Sequence, residues 1–181
     1  NNTGAMLTLS NSTFTGNTAA EGGAVASDTD LGAVRTTLMN CTLTGNTATS
    51  RGGGLYNFDG KTLLEHCTIT GNTAPPGEGS GVASYGNTFT ATEVSASIIS
   101  ANSSSDIDVV VVATNNSFTS SDYNLVGTAT GTATDNFNRP GDQVGVTDPI
   151  LAPLGDYGGP TQTMALRSGS PAINAASASA L

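Results

Sequence analysis

A segment of eight residues recurs along this chain and limits what the chain can fold into. It reads Ser12-Thr13-Phe14-Thr15-Gly16-Asn17-Thr18-Ala19, then Cys41-Thr42-Leu43-Thr44-Gly45-Asn46-Thr47-Ala48, then Cys67-Thr68-Ile69-Thr70-Gly71-Asn72-Thr73-Ala74, with a degraded copy at Ser97-Ile98-Ile99-Ser100-Ala101-Asn102-Ser103-Ser104. The asparagines lie 29, 26 and 30 residues apart, a period of stacked arrays rather than of one globular core. Aligning the copies on Asn17, Asn46, Asn72 and Asn102 brings out further columns: Leu9, Leu38, Leu64 and Val94; Ser12, Cys41, Cys67 and Ser97; Phe14, Leu43, Ile69 and Ile99. The pairs Thr13/Thr15, Thr42/Thr44 and Thr68/Thr70 take the alternate positions. Small and apolar residues inward with threonine outward is a period of two, which makes each segment a strand.

After each Asn-Thr-Ala comes a glycine-rich passage ending in apolar residues: Gly22 to Val25, Gly52 to Tyr56, Gly79 to Ala83. These passages predict second strands entered through tight turns. A unit of two or three short strands without helical periodicity is one rung of a parallel β-helix. Rungs stack about 4.8 Å apart, so a recurrent asparagine at a turn can hydrogen-bond to its copies above and below.

Residues 1–104 hold the clear rungs. Loops are expected to leave the solenoid at 27–36 and 85–92. Residues 105–181 are expected to form less regular rungs and a capping region of the same domain: a strand over 107–113, a turn region over 117–121, a strand over 123–127, and a Thr/Gly/Ala spacer over 128–134 with little to bury. The pieces beyond, punctuated by Pro and Gly, suit wrapping one end. The start at Asn1, close to the first rung, suggests a mature or excised piece of a longer product.

Five Lys and Arg stand against fourteen Asp and Glu, a formal net charge of −9. No basic stripe exists to meet phosphate, which argues against nucleic acid and anionic membranes as partners. The longest apolar run, Val109 to Ala113, is too short to insert in a bilayer. An exported, extracellular location is expected. Sequons at Asn1, Asn11, Asn40, Asn102 and Asn115 follow from a composition rich in Asn and Thr.

Enzymes on this architecture need clustered carboxylates, or carboxylates holding Ca²⁺ beside a basic residue. Here Arg35, Arg51, Lys61, Arg139 and Arg167 are scattered in sequence, and His66 points outward by alternation. The pairs Asp28/Asp30 and Asp106/Asp108 have no further ligands nearby. The expectation is a chain that is not an enzyme, with no catalytic residue, no metal and no cofactor. Cys41 and Cys67 share one inward column a rung apart, where stacked free thiols are favoured over a disulfide. The outward threonine array resembles an ice-binding face, but high strand propensity is the stronger reason for threonine there, and the fourth rung breaks the rank with Ile98 and Ser100.

Towards the C-terminus the motifs Tyr123-Asn124-Leu125-Val126-Gly127, Gly141-Asp142-Gln143-Val144-Gly145, Asp148-Pro149-Ile150-Leu151, the run Leu154 to Leu166, and Gly169-Ser170-Pro171-Ala172-Ile173-Asn174-Ala175 resemble the C-terminal part of bacterial choice-of-anchor Q domain proteins. The upstream rungs resemble the repeats of polymorphic outer membrane proteins and other right-handed β-helix surface proteins. These resemblances imply an all-β, right-handed parallel β-helix exported to a bacterial cell surface, and bring no catalytic residues with them. The function expected is a structural or adhesive module. An uncovered first rung would favour a homo-oligomer or filament through the solenoid ends. A polysaccharide is the alternative partner, bound or cleaved on a rung face.

Overall fold

A computed structural model describes residues 6–28, 35–86, 89–111, 116–131 and 136–176. The chain runs through β1 (Met6–Ser10), β2 (Thr13–Thr15), β3 (Thr18–Glu21) and β4 (Val25–Asp28), then repeats the circuit as β5 (Arg35–Met39), β6 (Thr42–Thr44), β7 (Thr47–Arg51) and β8 (Leu55–Phe58). Three further circuits follow: β9 (Lys61–Glu65), β10 (Thr68–Thr70) and β11 (Val82–Gly86); β12 (Thr90–Ser95), β13 (Ile98–Ile99) and β14 (Ile107–Val111); β15 (Asn116–Ser120), β16 (Leu125–Val126) and β17 (Ala129–Gly131). A last short strand, β18 (Gln143–Val144), joins the second stack. All named strand pairs are parallel, in stacks β1-β5-β9-β12-β15 (face A), β2-β6-β10-β13-β16-β18 (face B), β3-β7 (face C) and β4-β8-β11-β14-β17 (face D). The fold is a parallel β-solenoid.

The corners explain the spacing of the repeat. Between faces A and B the chain turns at residues held left-handed, Asn11, Asn40, His66, Ala96 and Tyr123, with φ between 45° and 59°. Asparagine and histidine adopt this conformation at smaller cost, whereas Ala96 and Tyr123 carry strain there. Between faces B and C the same conformation falls to Gly16, Gly45 and Gly71, and in the worn copy to Ala101. The interior is one continuous apolar column in which Leu38, Leu43, Leu64, Ile69, Val94 and Ile99 are solvent-free. Leu9 and Phe14, on the first rung, are only partly buried.

Three expectations change. Residues 116–120, expected near a turn, form β15, because alternation sends Phe118 and Ser120 inward, both nearly solvent-free. Part of the supposed spacer pairs as β17 with β14. The excursions are also shorter: β4 extends to Asp28, and β11 and β12 take up most of 85–92. Residues 29–34 lie outside the described residues.

The C-terminal region does two separate things. Residues 136–142 close the end of the solenoid: Phe137 is buried, with its ring 5.6 Å from that of Phe118. Beyond β18 the tail leaves the end and lies along face B. Antiparallel bridges Leu151–Leu166 and Gly155–Thr163 make it a hairpin. Val146 O accepts from Ser100 Oγ on the fourth circuit, and Gln162 O accepts from Thr13 Oγ1 on the first. The tail thus runs back over the length of the solenoid, covering a side as well as following a capped end.

Candidate functional site

The recurrent asparagines form a directional chain. Asn17 Nδ2 donates to Asn46 Oδ1 at 2.9 Å, Asn46 Nδ2 to Asn72 Oδ1 at 2.9 Å, and Asn72 Nδ2 to Asn102 Oδ1 at 3.0 Å. Each oxygen also takes the backbone N–H of the preceding asparagine, at 2.9 to 3.1 Å. Asn46 and Asn72 have no solvent exposure, so every amide atom needs a protein partner, and the remaining amide hydrogens go to Phe14 O and Leu43 O of the preceding circuit. Asp106 ends the chain. Its Oδ1 accepts from Asn102 N and Nδ2 at 2.8 and 2.7 Å, and its Oδ2 from Thr128 N at 2.7 Å. In the preceding circuit the register position of Asp106 belongs to Gly81, where a Cβ would lie 2.7 Å from Asn102 Nδ2. Glycine leaves room for the next asparagine; aspartate fills that room where no further asparagine follows.

A second column stands at the A–B corner. Cys67 N donates to Ser97 Oγ at 3.0 Å, Ser97 N to Asn124 Oδ1 at 3.1 Å, and Asn124 N to Asp142 Oδ1 at 3.0 Å. Upstream, the backbone of Ser12 and of Cys41 stands against the sulfurs of Cys41 and Cys67. Both cysteines are free and 1% exposed. The Cys41 thiol stands against Leu9 O and Met39 O and the Cys67 thiol against Leu38 O and Glu65 O, at 3.3 to 3.5 Å; the neighbouring thiol and burial hold Cys67 up, while Cys67 draws Cys41 down. This column also ends in an aspartate, Asp142.

The family model of the Chlamydia polymorphic membrane protein repeat matches residues 11–28 and 40–57. Two circuits of this chain are similar to that repeat. Each matched stretch begins at a left-handed corner asparagine, Asn11 or Asn40, and carries the ladder asparagine, Asn17 or Asn46. No curated protein and no solved structure matches the chain.

Face B corrects the expectation of an outward, solvent-facing threonine array. Thr13, Thr15, Thr42, Thr44, Thr68 and Thr70 do alternate with the buried column, but only Thr15 is fully exposed. Thr42 and Thr70 are each 5% exposed on the face where the C-terminal hairpin lies. A covered array offers no flat surface to ice.

On face D the outward positions gather an aromatic and charged cluster. Tyr56, Phe58 and Tyr85 stack with ring centroids 6.0 and 5.8 Å apart. The Arg51 guanidinium lies 4.4 Å above the Tyr85 ring, with Nε 2.5 Å from Glu78 Oε2. Burial, with Glu21 nearby, pushes the Tyr56 phenol up to about 12. Asp108 is 6% exposed, and burial raises its carboxyl above the ordinary value. Sequence reading missed this cluster, although the register pair Phe58–Tyr85 follows once the glycine passages are aligned.

The carboxylate pairs do not act together. Asp106 spends its oxygens on Asn102 and Thr128, while Asp108 accepts from Thr130 Oγ1 at 2.8 Å. Asp28 is exposed, and Asp30 lies outside the described residues. Among the described residues no three His, Cys, Asp or Glu side chains converge as a metal site would require. His66 is exposed at its corner. Of the sequons, Asn11 and Asn40 are exposed, Asn102 is tied into the ladder, and Asn1 and Asn115 lie outside the described residues. Among the described residues no helix is long and apolar enough to cross a membrane.

The two ends differ. Among the described residues no strand pairs with the outer edges of β1, β2, β3 or β4. Met6 is 78% and Leu7 43% exposed, and no described residue donates to Asn17 Oδ1. At the opposite end Phe137 covers the core beside Phe118 and Asp142 ends the A–B corner column, while β15, β17 and β18 likewise have no strand on their outer edges among the described residues; Asp106 lies one circuit further in, beneath β17.

Proposed function

We propose that this chain is a non-catalytic, surface-exposed β-helix module of the bacterial envelope, structural or adhesive in role, which associates through the ends of the solenoid. The polymorphic membrane protein repeat over two circuits and the choice-of-anchor Q resemblance of the tail support the location. The observation that carries the association is that, among the described residues, β1 to β4 at one end and β15, β17 and β18 at the other have no strand paired to their outer edges. Unpaired edges over an apolar cross-section recruit other chains. A second copy is the occupant argued for. A contact between unlike ends is heterologous and does not close on itself, so it grows the head-to-tail fibre expected from the sequence.

Sedimentation velocity over a concentration series, with Phe14→Glu as comparison, tests this. Reversible, concentration-dependent growth past the dimer that the variant abolishes, with unchanged circular dichroism, is expected. A strictly monomeric wild type overturns the association, and a species that stops at the dimer overturns the head-to-tail contact. Protease accessibility of the chain on intact cells tests the location.

A further inference from the structure

Two of the five cations, distant in sequence, come together on face A. Arg35 and Lys61 are register partners on β5 and β9, both pointing outward and both exposed, about 4.8 Å apart along the stack. Among the described residues neither is in an ion pair; that contact belongs to Arg51 and Glu78. Like charges directly opposite on neighbouring strands repel, and a chain of net charge −9 has carboxylates to spare for pairing them. They rim a shallow groove of about 190 Å³ whose floor is Leu63 and Ala91 and whose far side is Glu93. The Lys61 ammonium lies 5.5 Å from the ring centroid of Phe89, which is itself 38% exposed.

We propose that this groove binds a carboxylate-bearing saccharide, a uronic acid unit of an acidic glycan. The carboxylate sits between Arg35 and Lys61, where charge-assisted hydrogen bonds are strongest. The apolar face of the pyranose rests on Leu63 and Ala91 beside Phe89. Its hydroxyls donate to Glu93, one of whose oxygens is engaged by Ser121 Oγ at 2.5 Å while the other faces outward unshared among the described hydrogen bonds. Glu93 and the net charge disfavour polyphosphates and nucleic acids, since a second negative group would land on a carboxylate. Nothing here depends on end-to-end association, so the site stands or falls separately.

Titration of the full chain with trigalacturonate, its methyl ester and inorganic sulfate, followed by calorimetry and by the Phe89 ring resonances, tests the proposal. Trigalacturonate should bind and move Phe89, and the ester should bind at least about tenfold more weakly, the scale of one lost charged hydrogen bond. Arg35→Gln with Lys61→Gln should lose binding while melting as the wild type does, since both side chains are exposed. Equal affinity for acid and ester, sulfate binding as tightly as the trisaccharide, or no binding at all overturns the proposal.

Discussion

Replacing Asn72 by alanine tests whether the ladder holds the solenoid together or only decorates its corner. The Asn72 side chain accepts from Asn46 N and Nδ2 and donates to Leu43 O, Thr70 O and Asn102 Oδ1, all with no solvent exposure of Asn72 itself. In the variant Asn46 N–H loses its acceptor outright. Asn46 Nδ2 keeps Phe14 O and Thr44 O, and Asn102 Oδ1 keeps Asn72 N. One orphaned buried donor and weakened carbonyls, at about 1–3 kcal/mol for each group left unmade, give a loss of roughly 2–4 kcal/mol. Thermal unfolding followed by circular dichroism should drop by about 5–15 °C for a chain of this size. Asn17→Ala removes the same chemistry from an exposed position and should cost well under half of that. Asn72→Asp should be worse than alanine, because its second oxygen would face Leu43 O, Thr70 O and Asn102 Oδ1, acceptors all. An Asn72→Ala variant that melts with Asn17→Ala, or an Asn72→Asp variant as stable as the wild type, would refute the directional ladder.

Three further outcomes are expected. Phe137→Ala should cost about 3 kcal/mol in urea unfolding by opening the capped end, whereas Phe89→Ala, on an exposed ring, should cost little. Burial holds the Asp108 carboxyl above its ordinary 3.8, so between those values the folded state holds more protons than the unfolded one and stability falls as pH rises through that window; Asp108→Asn should melt above the wild type at neutral pH, with the difference shrinking towards pH 4. Cys67→Ser should keep the fold at a cost of about 1 kcal/mol, since Ser97 already accepts the same backbone N–H one circuit later; loss of folding would show that the sulfur packing, not the column of acceptors, holds this corner.

The solenoid is legible in the sequence because every circuit must repeat the same corner. Gly-Asn-Thr recurs where the chain turns from face B to face C, and Leu, Phe and Ile recur at the one inward position between the corners. What the sequence hides are relations between circuits that loops of unequal length displace. Arg35 and Lys61 look scattered, yet the pairing of β5 with β9 brings them into register. Tyr56, Phe58 and Tyr85 escape for the same reason. β15 escapes because Asn116-Ser117-Phe118-Thr119-Ser120 has a single large apolar residue to point inward. The docking of the C-terminal hairpin on face B lies beyond any periodicity, since residues 146–167 carry no repeat and their contacts with Thr13 and Ser100 are made by backbone carbonyls.

Both corner columns run in one direction, and that direction decides how each column ends. Each member donates to the next and accepts from the one before. The last member of a column is therefore left with donors to satisfy, the first with an acceptor. A carboxylate, which only accepts, is the right terminator for surplus donors, and both columns receive one: Asp106 takes Asn102 N and Nδ2, and Asp142 takes Asn124 N. Asp106 does so one circuit short of the end, beneath β17, and Asp142 at the end itself, where the outer edges of β15, β17 and β18 have no strand partner among the described residues and Val144 is 47% exposed. At the other end Asn17 Oδ1 stands where, in every later copy, an N–H and an amide arrive together. Whatever reaches it, a segment of this chain outside the described residues or another molecule, must bring donors.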